Sequence, residues 1–156
     1  MIRTGILGTG FGKRIIGPAL KNNKKFKVHS VFSRDRKKAK KAKKELGAEY
    51  YYDNWKALID NGCDLVCVAL PPFMHYEVAK YALENNKHLV LAAPLCLDAK
   101  EGEELAQIAD RKQVKTVVLH YLNYLPARNY AVNLIKNGKI GNILSLDRTL
   151  KNSERY

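Results

Sequence analysis

Apolar and polar positions along this chain fall into a repeating alternation of strands and helices. Arg3–Leu7 reads as a first strand, and it runs directly into a turn with glycine at positions 8, 10 and 12. A helical pattern follows to about Asn22, with Pro18 inside it, where a missing backbone donor predicts a kink or a late helix start. Lys27–Phe32 is a second strand. A helix follows from Asp35 to Leu46, in which Ala39, Ala42 and Leu46 form a thin apolar stripe and Gly47 supplies the C-terminal stop. Glu49–Tyr52 is a short third strand, and a small helix is expected over Trp55–Asp60.

The near-continuous apolar run Asp64–Leu70 suits a parallel strand covered on both faces, and Pro71-Pro72 ends it. A helix over His75–Asn85 presents Val78, Ala79, Ala82 and Leu83 as its buried stripe, and His88–Ala92 is the fifth strand. Asp98 caps a helix to about Arg111, with Glu101 placed to complete a capping box. Thr116–His120 is the sixth strand, and a last helix runs from about Pro126 to Gly138.

Repeated strand–helix units imply an α/β fold with a doubly wound parallel sheet, and a ligand at the carboxyl ends of its strands. Ile143–Leu150 departs from the scheme. It alternates like a half-buried strand without a partner, which predicts edge pairing within the sheet, pairing with another chain, or disorder. Self-association into a homo-oligomer through Ile143–Leu150 is the expectation drawn from it.

Charge changes the picture next. The net charge is +13 over 156 residues, and much of it sits in Arg34, Arg36, Lys37, Lys38, Lys40, Lys41, Lys43 and Lys44. Such a run could serve nucleic-acid binding. However, the apolar stripe makes it the solvated face of a sheet-packed helix, and no aromatic residue is interleaved with the charges to stack bases. Nucleic acid is therefore the weaker alternative. The sequence has no run long and apolar enough to span a membrane and no signal-peptide core at its start, so cytoplasmic localisation and no membrane partner are expected. Cys63, Cys67 and Cys96 form no C-x-x-C pair and read as small apolar residues. His29, His88 and His120 lack metal-ligand spacing, so no metal is expected, and no Ser–His–Asp or paired-carboxylate pattern stands out.

The chemistry concentrates in the opening loop. Gly8-Thr9-Gly10-Phe11-Gly12 lies between a strand and a helix, where glycine permits a tight turn and close approach of a phosphate to backbone N–H groups. The third glycine comes one residue earlier than in G-x-G-x-x-G, and Lys13 occupies the expected position.

These landmarks, with Ser33-Arg34, Pro71-Pro72-Phe73-Met74-His75, Asn86-Lys87-His88-Leu89-Val90 and the closing segment Asn137–Ile143, resemble the N-terminal half of the Gfo/Idh/MocA oxidoreductases. The resemblance implies a Rossmann-like dinucleotide-binding domain over residues 1–142. Residues 143–156 would be the stub of a second α+β substrate domain, absent or reduced to one strand. It implies that Gly8, Thr9, Gly10, Phe11 and Gly12 cradle a pyrophosphate and that Leu70, Pro71 and Pro72 pass along the adenosine. His75 would lie close to the cofactor at the start of its helix, with a helix-capping or surface histidine as the competing reading.

Relatives preferring NAD tend to carry an acid after the second strand. Here Ser33 and Arg34 stand there, with Lys38 one turn on, which predicts NADP(H) over NAD(H); Asp35 is the competing residue. The family's Glu-Lys-Pro motif reads Ala92-Ala93-Pro94, and an arginine common in the segment resembling Tyr121–Pro126 is Asn123. The implied parent reaction is hydride transfer with a sugar- or polyol-like substrate. A methyl group at Ala93 has no proton to exchange, so this chain is expected to be inactive. A non-catalytic dinucleotide-sensing or protein-interaction module is the alternative.

Overall fold

The computed structural model describes residues 1–147 and 149. They divide into two compact units, Met1–Leu119 and the residues from His120 onward.

The first unit is a six-stranded, all-parallel sheet. Its strands are β1 (Ile2–Leu7), β2 (Phe26–Phe32), β3 (Tyr50–Tyr52), β4 (Leu65–Val68), β5 (His88–Ala92) and β6 (Thr116–Leu119), in the spatial order β3-β2-β1-β4-β5-β6. The order reverses between β1 and β4, which opens a crevice at their carboxyl ends. β3 and β6 are the outer strands, and Val117 on β6 is 51% exposed.

Side-chain alternation divides the core between the two faces of the sheet. Leu7, Phe32, Val66 and Val68 pack with α3 (Trp55–Asp60), α4 (His75–Glu84) and α5 (Ala99–Lys112) through Leu58, Val78, Ala82 and Leu105. Ile6, Val31 and Cys67 face the opposite way, toward α1 (Gly17–Lys21) and α2 (Arg36–Leu46), with Ile16, Ala42 and Leu46. The predicted stripes are therefore the buried ones: Ala39, Ala42 and Leu46 on α2, and Val78, Ala79, Ala82 and Leu83 on α4. Small residues let α2 lie close to its neighbours. A Cβ on Gly17 would come within 2.5 Å of Leu46 Cδ2.

The helices start and stop where polar side chains meet free backbone groups. Asp35, Asn54 and Asp98 accept bonds from first-turn amides of α2, α3 and α5, and Gly47 ends α2 at φ +68°. Asp98 caps α5 through Lys100 N at 2.6 Å, whereas Glu101 makes no reciprocal bond among the described residues. Of the kink or late helix start expected near Pro18, the structure shows a distortion: helical backbone begins at Phe11, Gly12–Ile16 is a π-helical turn, and regular α-helix follows over Gly17–Lys21 with Pro18 near its start.

The second unit comprises a 3-10 turn over Tyr121–Tyr124 and α6 (Pro126–Lys136). The strand expected over Ile143–Leu150 is not formed among its described residues. Residues 143–147 and 149 have no strand partner, and positions 148 and 150 lie outside the described residues. A period of two sets side chains on two faces, but a strand also needs a neighbour to accept its backbone bonds. Leu144 and Leu146 are 96% and 85% exposed.

Candidate functional site

At the carboxyl ends of β1, β2 and β4 lies a cavity of about 400 Å³, whose wall includes Gly8, Gly10, Ser33, Arg34, Lys38 and Leu70. Each element delivers its part for a local reason. Gly8 has φ +110°, and a Cβ there would stand 2.2 Å from the Ala69 carbonyl oxygen, so the turn leaving β1 requires glycine. A Cβ on Gly10 would meet nothing within 4 Å, which leaves the crest of the loop open to a ligand. Gly12 performs the packing role assigned to a third glycine, since its Cβ would lie 2.9 Å from Ile6 Cγ2. Lys13, at the expected glycine position, instead pairs with Glu45 at 2.7 Å.

The loop after β2 separates two roles. Asp35 Oδ1 accepts from Lys37 N at 2.8 Å and Lys38 N at 3.1 Å, capping α2. Ser33 Oγ in turn accepts from Asp35 N at 3.3 Å. Arg34 is exposed at the cavity wall and makes no ion pair among the described residues. An anion entering this cavity meets Arg34 and Lys38 together; Asp35 lines the same cavity, with its Oδ1 engaged by backbone amides of α2.

Of the predicted site residues, the cavity unites Gly8, Thr9, Gly10, Ser33, Arg34, Lys38, Leu70 and Pro71. Phe11, Gly12, Pro72 and His75 do not line it. The competing reading of His75 needs correction, because the ring is neither at the surface nor a helix cap. It is 1% exposed, with Nδ1 2.7 Å from the Pro94 carbonyl oxygen and Nε2 2.8 Å from that of Leu70. It ties the loop after β4 to the turn after β5, a function that the spacing of a single histidine does not reveal. Phe32 and Ala69, apolar strand-end residues absent from the sequence-based set and with no distinguishing signal, also line the wall, and so does Asp35, the residue that competes with Arg34.

Ala93 is exposed immediately after β5, and its peptide bond to Pro94 is cis. No cluster of three or more His, Cys, Asp or Glu side chains among the described residues could hold a metal ion. Burial pushes the Cys67 thiol up to about 12 and raises Cys63 as well, so neither is a nucleophile at neutral pH. Among the described residues, no helix is long and apolar enough to cross a membrane.

Residues 2–120 match the GFO_IDH_MocA family, described as an oxidoreductase family with an NAD-binding Rossmann fold. An uncharacterised oxidoreductase of Synechocystis is 32% identical over 139 residues, covering 88% of this chain and 38% of its own length. A mutant 3-ketoreductase from Actinomadura kijaniata, solved with TDP-benzene and NADP, matches with a TM-score of 0.85 at 28% identity, over 91% of this chain and 46% of that one. The scyllo-inositol dehydrogenase of Lactobacillus casei, solved with NAD(H) and scyllo-inositol, matches with a TM-score of 0.83 at 25% identity, over 91% and 43%. The chain thus spans about two fifths of the length of these relatives.

Proposed function

Because the chain belongs to the Gfo/Idh/MocA family of oxidoreductases, we propose that it binds a nicotinamide dinucleotide in the β1–β2–β4 crevice and favours NADP(H) over NAD(H). The observation that carries this reading is the placement of Arg34 and Lys38 on one cavity with Gly8 and Gly10, while Asp35 Oδ1 is held by the amides of α2. A ribose 2′-phosphate there would receive a planar, bidentate guanidinium and a second cation. The pyrophosphate would pass over Gly8–Gly10, where the absence of side chains lets backbone and phosphate approach. The bound nucleotide supplies hydride-transfer chemistry, and this chain's residues orient it.

The dinucleotide-binding domain would extend over residues 1–142, with 143–156 leading into a second domain that carries the substrate. The parent reaction in this reading is hydride transfer to or from a sugar- or polyol-like substrate. Ala93 brings no exchangeable proton to the position where the resemblance expects lysine, so the chain binds cofactor with little or no turnover. The same residue favours a second reading, a dinucleotide sensor without catalysis.

Calorimetric titration with NADPH and NADH tests the cofactor assignment. NADPH is expected to bind at least about tenfold more tightly, as suits charge-assisted bonds to one phosphate. Equal affinities, or tighter NADH binding, would overturn the preference. NADP reduction by the purified chain with any polyol or sugar would overturn the inactivity.

A further inference from the structure

The dinucleotide reading leaves most of the basic run on α2 without a task. Of the eight cations from Arg34 to Lys44, only Arg34, just before the helix, and Lys38 reach the crevice. Lys37, Lys40, Lys41, Lys43 and Lys44 line a second, open cavity of about 660 Å³ together with Tyr51 of β3, whose half-buried ring also packs against the core. Lys43 Nζ lies 5.9 Å from the centre of the Tyr51 ring. The Arg36 guanidinium sits by the Tyr51 hydroxyl, and these neighbours, with Asp53, hold it above its ordinary pKa.

These charges are poorly compensated. Among the described residues, Lys37, Lys40, Lys43 and Lys44 make no ion pair. Glu45, the acid on this helix, faces Lys13 at 2.7 Å and reaches Lys41 only at 3.9 Å. Lysines spaced three and four residues apart are neighbours on one helix face, so Lys37, Lys40, Lys41 and Lys44 repel one another in the free protein. An anionic ligand relieves that repulsion along the whole row. α2 has 11 residues and is therefore about 16 Å long, which calls for an extended polyanion rather than a single phosphate.

The aromatic ring identifies the ligand class. No aromatic residue is interleaved with the lysines in sequence, yet parallel pairing of β3 with β2 brings Tyr51 alongside α2. A positively charged groove that tracks a backbone, with a ring on which a base stacks, is the arrangement that holds single-stranded nucleic acid. A docked protein fits less well, because interface cores are depleted in lysine. We infer that the α2–β3 groove binds single-stranded nucleic acid, with phosphodiesters along Lys37, Lys40, Lys41 and Lys44 and a base against Tyr51.

The test uses a short fluorescein-labelled single-stranded oligonucleotide and the whole chain, read by fluorescence anisotropy across a salt series. Four phosphate contacts give an expected slope of log affinity against log salt of about −3, since each contributes roughly −0.7 on a single strand. Lys40→Gln with Lys44→Gln should bring the slope to about −1.4. Tyr51→Leu should weaken binding about tenfold while Tyr51→Phe keeps it, because the ring and not the hydroxyl stacks. Saturating NADPH should leave the affinity unchanged, which separates this groove from the crevice whether or not the dinucleotide reading holds. The proposal is overturned if the lysine pair does not alter the slope, if Tyr51→Leu binds as the parent does, or if NADPH displaces the oligonucleotide. Equal binding of a duplex, or equal competition by polyglutamate, also overturns it, the latter pointing to an acidic protein.

Discussion

Single residues set the chemistry of the crevice. Replacing Arg34 with alanine should weaken NADPH by roughly 1.5–3 kcal/mol, the range for hydrogen bonds to charged groups, and leave NADH within a few-fold; paired titrations measure the difference. Asp35 lines the same crevice and also serves stability. Asp35→Ala removes two bonds to first-turn amides, and the expected loss is about 1 kcal/mol in denaturant unfolding. The sequence showed both residues and marked them as rivals, because a one-dimensional reading places them side by side without saying which way each carboxylate or guanidinium turns. His75 was legible as a position only. Its burial between two carbonyl groups depends on where the loops after β4 and β5 meet, and that is a tertiary fact.

Periodicity located the elements themselves, and the physical reason is plain. A helix or strand buried on a sheet has to repeat its apolar residues with its own period, as α4 does through Val78, Ala79, Ala82 and Leu83. Trp55–Asp60 and His88–Ala92 keep the bounds expected of them. The failures come where an element depends on a partner. Ile143–Leu150 has the right alternation but, among its described residues, no strand beside it, and Tyr51 joined the basic helix only through sheet pairing.

Ion pairs between elements also depend on folding, and one carries a pH signature. Hydrogen bonds from the Arg3 guanidinium and backbone hold the Asp64 carboxyl at about 2, below its ordinary value. A depressed carboxylate contributes stability that is fully present above its unfolded pKa and lost as pH falls through its folded one. Asp64→Asn should therefore flatten the acid limb of the unfolding curve between about pH 4 and pH 2. The effect is expected to be small, because the pair is 51% and 39% exposed and solvent screens it.

Across the whole molecule, a parallel sheet was implied by strand–helix alternation while its strand order was not, and the fold matches that of the relatives at TM-scores of 0.83 and 0.85. Charge was equally legible, although composition does not reveal its division between crevice and outer groove. Association through Ile143–Leu150 remains a proposal that light scattering tests. A chain ending at Asn142 should scatter as a smaller species, and an unchanged oligomeric state would remove the idea. The outer strand β6, with Val117 half in water, has one further consequence. An outer strand invites pairing of one copy with another, and long-range repulsion between bodies of charge +13 opposes it. Colloidal behaviour should thus follow ionic strength: clear solutions in dilute buffer, and turbidity as the Debye length shrinks to about 3 Å near 1 M salt.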